Sequence, residues 1–534
     1  MNNEYENSSQ NIKLPIFLGI VLAIGFLLGY FYNKKTLIPQ NNSQNKIDEV
    51  QSLIQRYYFD TIDNEKLIDD GIKNLLSCLD PHSSYMNKKE SQQFQTSMSG
   101  GFEGIGVQFN LLNDTLIVVG VIVGGPSAQQ GILAGDKIIS VDDTTIAGVG
   151  IQNNDIIQKL RGKKGTKVKL GIVRQDIKEP IYFVVTRDKI PVNSINYSCL
   201  IAPKIGYINI DNFTLTTAYE FDTILNNLLK KGMEKLIIDL RGNSGGYLGA
   251  VISICDELLP SKKMIVYTKG MNYPIQKYRA TSRGQFQEEK QKVVVLIDEY
   301  SASASEILAG AIQDHDRGTV IGRRSFGKGL VQTQFFLSDS SEVLLTIARY
   351  YTPLGRCIQR PFKNGNNAYF NDILNRYSSG ELQTEDSVFF DESLKVTTPA
   401  GKVLYGGGGI MPDIFIPIKT SNDFVYFNQL ANSGIVLQYA MQYANNNRKT
   451  LINKYKTAEN FVKFFNINDE ILQTIISKGK EKSIKGTLTP TTKKELQQWT
   501  KAYIGRNLFG DNAFYPILFQ DDDMILEAIK VLNQ

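Results

Sequence analysis

Apolar residues recur at helical spacing from Ile47 to about Gln95, and the stretch LDPHSSYM (79–86) interrupts them with a turn. From Gly100 the pattern changes, because short runs rich in valine and isoleucine alternate with glycine turns. Such runs predict β-strands, with short helices only at 128–131 and near 153–160. The first part of the chain is therefore predicted to be a helical region followed by a β domain.

Residues 205–425 alternate predicted strands with predicted helices. The segment KVVVLID (292–298) is apolar throughout, as strands covered on both faces are, and the helical segment ASEILAGAIQ (304–313) follows it. This alternation predicts an α/β core. Beyond about residue 425 the pattern is mostly helical, and Asp521 to Asp523 read as the acidic start of a last helix rather than as a metal site.

Residues 15–32 carry no charge in 18 positions, which is long enough to span a bilayer. The run ends in aromatic residues followed by Lys34 and Lys35, as an interfacial belt does. No small-x-small cleavage site follows, so we expect an uncleaved transmembrane anchor at 15–33, with a cleaved signal peptide as the alternative. The anchor would follow a short polar terminus (1–14) and precede a polar linker (34–46).

Composition adds little beyond these patterns. The net charge is +5 and the chain has no long basic run, so nothing argues for nucleic acid as a partner. The four cysteines lie far apart without a C-x-x-C pair, which indicates neither a zinc ribbon nor a disulfide-dense module. The chain has only two histidines, His82 and His315, and this scarcity limits the choice of a catalytic base.

The segment GRRSFGKGL (322–330) nearly matches the phosphate-binding pattern G-x-x-x-x-G-K. Residue 329 is glycine, however, where serine or threonine would hold magnesium, and the following LVQTQFFL looks like a strand rather than a helix. A P-loop nucleotide-binding enzyme is therefore the weaker interpretation of Lys328.

The segment SASASE (301–306) places Ser303 where a buried strand passes into a helix. Ser303 and Glu306 fit a capping box, but a serine at such a turn also combines an exposed hydroxyl with unpaired N–H groups, as a nucleophile requires. A serine nucleophile needs a base. His82 lies far upstream and His315 is expected to be solvated beside two aspartates, so we expect a neutral, buried Lys328 to serve instead.

Several long motifs in order resemble the C-terminal processing peptidases, also called tail-specific proteases, over residues 45–420. The motifs that carry the resemblance are LDPHSSY, LIIDLRGNSGG, SASASEILAGAIQD, FGKGLVQ, YYTPLGRCIQ and GGGGIMPD. The resemblance implies a helical region at 47–97, an inserted PDZ-like domain at 98–188, a protease core of crotonase/ClpP-like βαβ units at 189–425 and a helical region at 426–534.

In that family the nucleophile is the middle serine of its motif and the lysine follows 25 residues later; here 328 − 303 = 25. The resemblance thus implies a Ser303/Lys328 dyad with Gln332 orienting the lysine. It implies an oxyanion hole from the N–H of Ala304 and an N–H of Gly245 or Gly246. This chain has Ser244 where the family usually has proline, and we assign Glu306 to support of the helix start.

The resemblance to PDZ domains rests on GIGV and on GGPSAQQGILAGDKIISVDD. It implies that Gly104, Ile105, Gly106 and Val107 bind a peptide carboxylate while the neighbouring strand edge accepts the peptide. Arg161, in LRGKKGT, matches a segment that links this domain to the active site. It either reports ligand occupancy or is a solvated arginine, and the sequence leaves both interpretations open.

The implied function is that of a membrane-anchored serine endopeptidase that cleaves near the C-termini of protein substrates. Neither a metal nor a cofactor is implied. The family often forms homo-oligomers through its terminal helices, so we expect one here, at the outer face of a bacterial inner membrane with the catalytic domain in the periplasm. A catalytically inactive PDZ scaffold is the alternative.

Overall fold

A computed structural model describes residues 44–112, 114–122, 124–174, 177–387, 391–419 and 422–534. The predicted anchor at 15–33 lies outside the described residues. Within the described ranges, none of the helices is both long and apolar enough to cross a membrane.

The chain divides into two compact units, and Leu75 is the last residue of the first one. The described part of this first unit is helical, as the apolar spacing predicts. Its helices are α1 (Gln44–Tyr57) and α2 (Asn64–Ser77), the second of which ends just inside the next unit.

The second unit begins with a short strand and helix and continues into an antiparallel β domain. The elements are β1 (Ser84–Met86), α3 (Lys88–Met98), β2 (Gly101–Gly104), β3 (Val107–Leu112), β4 (Thr115–Val121), α4 (Pro126–Gln129), β5 (Lys137–Val141), β6 (Thr144–Thr145), α5 (Asn153–Leu160), β7 (Lys167–Val173), β8 (Ile181–Thr186) and β9 (Asp188–Pro191). The main sheet has the order β3-β4-β5-β7-β8, and β2 pairs with β9. The helix predicted at 128–131 starts two residues earlier, because Pro126 suits a first helical position.

An α/β core follows, as predicted. Its elements are β10 (Ile195–Ala202), β11 (Ile205–Ile210), α6 (Thr217–Lys230), β12 (Lys235–Asp239), α7 (Leu248–Leu258), β13 (Met264–Lys269), β14 (Gln276–Arg279), β15 (Val293–Ile297), α8 (Ala304–Asp314), β16 (Gly318–Gly322), β17 (Leu330–Phe336), β18 (Glu342–Tyr351), α9 (Asn366–Phe370), α10 (Asp372–Ser378), β19 (Lys395–Thr397), β20 (Val403–Tyr405) and β21 (Ile414–Phe415). The central sheet has the order β10-β11-β12-β15-β16-β21, with parallel pairing from β11 to β21. All of β15 and α8 is buried, which explains their apolar sequences.

A second sheet positions the part of the chain around Lys328. Strand β17 begins two residues after Lys328 and pairs with β18, which also pairs with the upstream strand β1. The register of β1 places Ser84 opposite Leu344. The LDPHSSY turn is thereby held at the edge of β18 opposite β17, through a pairing of segments about 260 residues apart that no sequence pattern predicts.

The C-terminal region is helical, as predicted. Its helices are α11 (Asn422–Asn432), α12 (Ile435–Asn446), α13 (Arg448–Tyr455), α14 (Ala458–Phe464), α15 (Asp469–Glu481), α16 (Pro490–Phe509), α17 (Asp511–Leu518) and α18 (Asp523–Asn533). The buried face of α18 packs through Ile525 and Leu532 on one side of the central sheet, opposite the side that α6, α7 and α8 cover. Asp522 starts α18 by accepting the N–H groups of Met524 and Ile525.

Candidate active site

Ser303 lies in the turn between β15 and α8, with φ at +54°. This left-handed conformation is unfavourable for serine by about 1–2 kcal/mol, so the surrounding contacts must enforce it. The neighbouring Ser301 and Ser305 are fully buried, and their hydroxyls donate to the carbonyl oxygens of Leu240 (2.8 Å) and Asn243 (3.0 Å). Of the three alternating serines, only Ser303 is partly exposed.

The glycine pair of the 241–246 loop lies against this serine. A methyl group added at Gly245 would come within 2.7 Å of Ser303 Cβ and 3.0 Å of the Ala304 nitrogen. The same group at Gly246 would overlap the carbonyl oxygen of Phe213 at 2.0 Å. Both positions therefore require glycine, and the loop brings its main chain directly to the start of α8.

The predicted oxyanion donors differ in their present hydrogen bonds. The N–H of Gly245 donates to Asn243 Oδ1 at 2.8 Å. The N–H groups of Ala304 and Gly246 donate to no atom of the described residues. Ala304 and Gly246 are thus the two donors that the geometry offers directly, and a role for Gly245 would require release of its bond to Asn243.

Glu306 joins the segment of Ser303 to the segment of Lys328. Its fully buried carboxylate accepts the N–H of Ser303 (2.8 Å) and the N–H of Lys328 (2.8 Å), both on Oε2. The other oxygen accepts the N–H of Gly327 (2.7 Å) and the hydroxyl of Ser325 (2.5 Å). Burial raises the pKa of Glu306, and these four donors oppose that rise.

Tyr350 makes a second link between the same two residues. Its buried hydroxyl lies 3.1 Å from the carbonyl oxygen of Ser303 and also contacts the carbonyl oxygen of Lys328. The main chains of Ser303 and Lys328 are therefore linked to each other on both their N–H and their C=O sides.

Lys328 extends from a loop into a partly buried site. Its ammonium nitrogen lies 2.8 Å from Gln332 Oε1, and the amide nitrogen of Gln332 donates to the carbonyl oxygen of His82. Burial lowers the pKa of Lys328, against the opposing charges of Glu306 and Asp80. Lys328 precedes β17, and the pairing shifts register between Val331 and Gln332, so the contact does not arise from a simple strand repeat.

The two histidines occupy different surroundings. His82 is half-buried next to Lys328, and burial together with the lysine charge lowers the pKa of its imidazole to about 4. His315 is half-buried and lies 2.7 Å from the carbonyl oxygen of Met264, so the expectation of a solvated side chain is wrong. Burial also lowers the pKa of His315.

The phosphate-loop interpretation of GRRSFGKGL does not fit the geometry. A strand, β17, follows Lys328 where a phosphate-binding loop would open a helix. The glycines serve packing instead: a methyl group at Gly329 would lie 2.9 Å from the nitrogen of Gln359, and one at Gly327 would lie 3.2 Å from Arg360 Cβ.

The predicted peptide site of the β domain is an open groove between β3 and α5, with a volume of about 410 Å³. Its lining includes Ile105, Gly106, Val107 and Arg161, and the guanidinium of Arg161 stacks on Phe102 at 4.6 Å. Gly104 precedes these residues at the end of β2. The carbonyl oxygens of Ile105 and Gly106 accept the N–H groups of Ser127 and Ile122, which fixes the turn from behind.

Known protein families match most of the described chain. Family models described as peptidase family S41 and as a PDZ domain match residues 204–364 and 104–188. Two further models, described as the activating protease CtpB N-terminal domain and as a family of unknown function, match residues 32–90 and 426–510. A carboxy-terminal-processing protease of Bartonella bacilliformis is 35% identical over 353 residues, which are 63% of this chain and 80% of that protein. The chain belongs to the carboxy-terminal processing proteases of peptidase family S41.

Other relatives have similar names. Carboxy-terminal processing protease CtpB of Bacillus subtilis is 35% identical over 324 residues, 60% of this chain and 66% of that protein. A solved photosystem II D1 C-terminal processing protease is 27% identical, and the match covers 60% of this chain and 85% of that protein with a TM-score of 0.35. As a member of this family, the protease is a serine-type peptidase, which confirms the predicted enzyme class.

Sequence reasoning missed several residues of the site. It assigned Glu306 to helix capping alone, left His82 aside as distant, and did not single out Tyr350 or Asp80. The LDPHSSY motif was visible as a marker of the family, but its place beside Lys328 follows from the pairing of β1 with β18. These residues are brought in by tertiary structure rather than by spacing along the chain.

We expect Glu306→Gln to lower kcat/KM by about tenfold or more. Each carboxylate oxygen accepts two donors, so an amide NH₂ would face donors at one of them. One such buried mismatch costs about 1–3 kcal/mol, enough for the expected loss if it displaces Ser303 from Lys328. Steady-state cleavage of an unfolded protein measures the effect, with the exposed Glu289→Gln as matched control. Wild-type kinetics in Glu306→Gln would contradict the linking role.

Proposed function

We propose that the protease uses Ser303 as nucleophile and Lys328 as general base to cleave protein substrates near their C-termini. The supporting observation is the single Glu306 carboxylate that accepts the N–H groups of both residues. The hydroxyls of Ser301 and Ser305 are buried and donate to carbonyl oxygens, so Ser303 is the serine of this motif that a substrate can reach. An inactive scaffold would have no need of this arrangement.

In the proposed first step, the neutral amine of Lys328 takes the proton of the Ser303 hydroxyl while the serine oxygen attacks a peptide carbonyl. The amine must be neutral near pH 7–8, about three units below its usual pKa, at a cost of about 4 kcal/mol. Burial supplies a shift in that direction. Gln332 accepts one hydrogen of the amine, which leaves its lone pair available to Ser303.

The carbonyl oxygen becomes negatively charged during the attack and would receive the N–H groups of Ala304 and Gly246. Donors of this kind contribute about 3–4 kcal/mol each. Lys328 then returns its proton to the nitrogen of the departing C-terminal fragment, and an ester forms on Ser303. A water molecule, activated by the same amine, hydrolyses the ester and restores the free serine.

We expect Ser303→Ala and Lys328→Arg each to lower cleavage of an unfolded protein by about 10³-fold or more. Arginine keeps the positive charge but does not deprotonate, so it should be inactive at every pH. In the wild type only the neutral lysine is active, so kcat/KM should rise with pH through the lowered pKa of Lys328 and level off above it. The exposed Lys363→Arg is the matched control. Undiminished cleavage by either variant would exclude the dyad.

We propose further that the groove between β3 and α5 binds the substrate's C-terminal tail. Backbone N–H groups of the turn at Gly104, Ile105, Gly106 and Val107 would receive the terminal carboxylate, and the edge of β3 would pair with the extended tail. Arg161 lies in the same groove with its charge over Phe102, where a carboxylate would attract it.

This proposal predicts that amidation of the substrate's C-terminus raises KM or lowers kcat/KM by about tenfold. The loss of one negative charge and one acceptor removes the contact with the turn. Matched substrates that differ only at the terminal carboxylate, assayed against the wild type and Arg161→Ala, measure the effect. Equal kcat/KM for free and amidated tails would remove the groove from the mechanism.

We propose a homo-oligomer in which α1 contributes to the contact. Four apolar residues on this helix, Ile47, Val50, Leu53 and Tyr57, are between 49% and 71% exposed in the single chain. Exposed apolar side chains at this spacing form one stripe along a helix, as at association surfaces. Val50→Glu should therefore lower the molar mass in light scattering at equal concentration, whereas Gln51→Glu should not. A monomeric wild type would refute the proposal.

We also propose that residues 15–33 anchor the protease in a bacterial inner membrane with its catalytic domain outside the cytoplasm. The uncharged run at 15–32, which ends in aromatic residues followed by lysines, supports the anchor. The orientation rests on the family resemblance, because Lys13 before the run and Lys34 and Lys35 after it do not decide it. The chain should stay with membranes through alkaline carbonate extraction, and a variant starting at residue 34 should be released.

The parallel order β11-β12-β15-β16 with α6, α7 and α8 as connections supports our assignment of the core to the crotonase/ClpP type.

A further inference from the structure

A series of hydrogen bonds starts at the side chain of Lys328 and ends on the main-chain N–H of the next residue, Gly329. From the lysine nitrogen it passes to Gln332 and on to the carbonyl oxygen of His82. The imidazole of His82 lies 2.8 Å from the hydroxyl of Tyr369, which lies 3.3 Å from the amide nitrogen of Gln359. The other end of Gln359 accepts the N–H of Gly329 at 2.8 Å.

The chemistry of each group fixes the direction of these bonds. A carbonyl oxygen only accepts, so Gln332 turns its NH₂ to His82 and its oxygen to Lys328. A backbone N–H only donates, so Gln359 turns its oxygen to Gly329 and its NH₂ to Tyr369. With the Gln359 amide donating to its oxygen, the Tyr369 hydroxyl is free to donate its proton to Nε2 of His82, and this direction requires a neutral imidazole with its own proton on Nδ1.

We propose that His82 and Tyr369 are positioning residues for Lys328 that act through Gln332. Neither touches the reacting atoms. Tyr369 holds the His82 imidazole, the His82 carbonyl holds the Gln332 amide, and the amide oxygen holds the lysine amine. The inference deepens the proposed function, because it rests on Lys328 as the base.

The segment that carries His82 is itself fixed. Asp80 accepts the N–H groups of His82 and Ser83 at 2.9 Å each, and the Thr346 hydroxyl of β18 at 3.1 Å. The carbonyl of His82 is thus anchored at the turn by Asp80 and at the side chain by Tyr369. Loss of the second anchor leaves the hydrogen bonds to Asp80 in place but removes the constraint on the His82 side chain, so that the His82 carbonyl can shift relative to Gln332.

Charged groups face this series of hydrogen bonds from every element packed against it. Lys328 is near Glu306 of α8 and Asp80 of the turn, and His82 is near Lys328, Asp80 and Arg360. The Arg360 guanidinium lies over the ring of Tyr369 at 4.0 Å and pairs with Asp372. Replacement of Tyr369 by phenylalanine keeps this ring contact and removes only the hydroxyl.

Without the hydroxyl, Gln332 loses its fixed partner and can turn its NH₂ towards the lysine. Two donors would then face each other, and the amine would move away from Ser303 into a better hydrated position. Hydration favours the charged amine, so the pKa of Lys328 should return towards its ordinary value. The catalytic step should therefore suffer more than substrate binding, and more at neutral than at alkaline pH.

The test is the pH profile of Tyr369→Phe in the full-length protein. At pH 7 we expect kcat to fall about tenfold with KM within twofold, and the rising limb of kcat/KM to move to higher pH by about one unit. Tyr377→Phe, on the exposed face of the neighbouring α10, is the matched control. A purely structural role would lower the rate equally at every pH, and that result, or an unchanged profile, would overturn the proposal.

A double-mutant cycle separates action through His82 from independent effects. If Tyr369 acts through His82, His82→Ala combined with Tyr369→Phe should lose no more activity than His82→Ala alone, within twofold. Multiplied losses would contradict the series. If Lys328→Arg is inactive while Tyr369→Phe keeps the activity and pH profile of the wild type, only this inference is refuted. If Lys328→Arg is active, the proposed dyad is refuted.

A spectroscopic measurement tests the series of hydrogen bonds even if a variant folds poorly. Because the protein has only two histidines, selective ¹⁵N-histidine labelling gives two imidazole signal sets, which His315→Gln assigns. In the wild type His82 should remain neutral between pH 5 and 8 with its proton on Nδ1. An imidazole protonated on Nε2, or one that titrates in this range, would exclude the bond from Tyr369.

Discussion

The proposed catalytic arrangement depends on one buried carboxylate. Glu306 is the third residue of α8, and its two oxygens accept four donors from segments that are about 20 residues apart. A buried charge without partners is strongly unfavourable, so a fold that buries Glu306 must bring these donors to it. The same contacts that satisfy Glu306 thereby fix Ser303 beside the lysine loop. The hydroxyl of Tyr350 repeats the link on the carbonyl side.

The other side of the site comes from residues 79–85, near the start of the second unit. The carbonyl oxygen of His82 in this turn accepts the amide of Gln332, the partner of Lys328. The central sheet gives both sides of the site a rigid support, because helices cover both of its faces. The face covered by α18 is also connected to the 241–246 loop. Asp522, at the start of α18, forms an ion pair with Arg241 at 2.8 Å, and Arg241 forms another with Asp239 at 2.6 Å. The last helix of the chain is thus connected to the loop that faces Ser303.

Several features of this structure were readable from local patterns. Buried β15 is apolar without interruption and the helix after it is mostly apolar, and alternating short strands marked the β domain. The choice of Ser303 rested on a family spacing. In the structure the hydroxyls of Ser301 and Ser305 donate to carbonyl oxygens of the 240–243 segment, which is the difference between them and Ser303 that supports the proposal. His315 shows the limit of such reasoning, because two neighbouring aspartates suggested solvent, whereas its imidazole is half-buried and lies 2.7 Å from the carbonyl oxygen of Met264.

Periodicity and turn chemistry are local, so the amino-acid sequence predicted the kinds of elements and their order, while the choice of Ser303 and Lys328 rested on the spacing of a family motif. The surroundings of Lys328 come from tertiary contacts. Its amide partner is held by a carbonyl from residue 82, and the N–H groups around it converge on Glu306. These contacts join residues up to 250 positions apart. They arise from strand pairing and from the need to satisfy buried polar groups, and neither leaves a periodic signal in the chain.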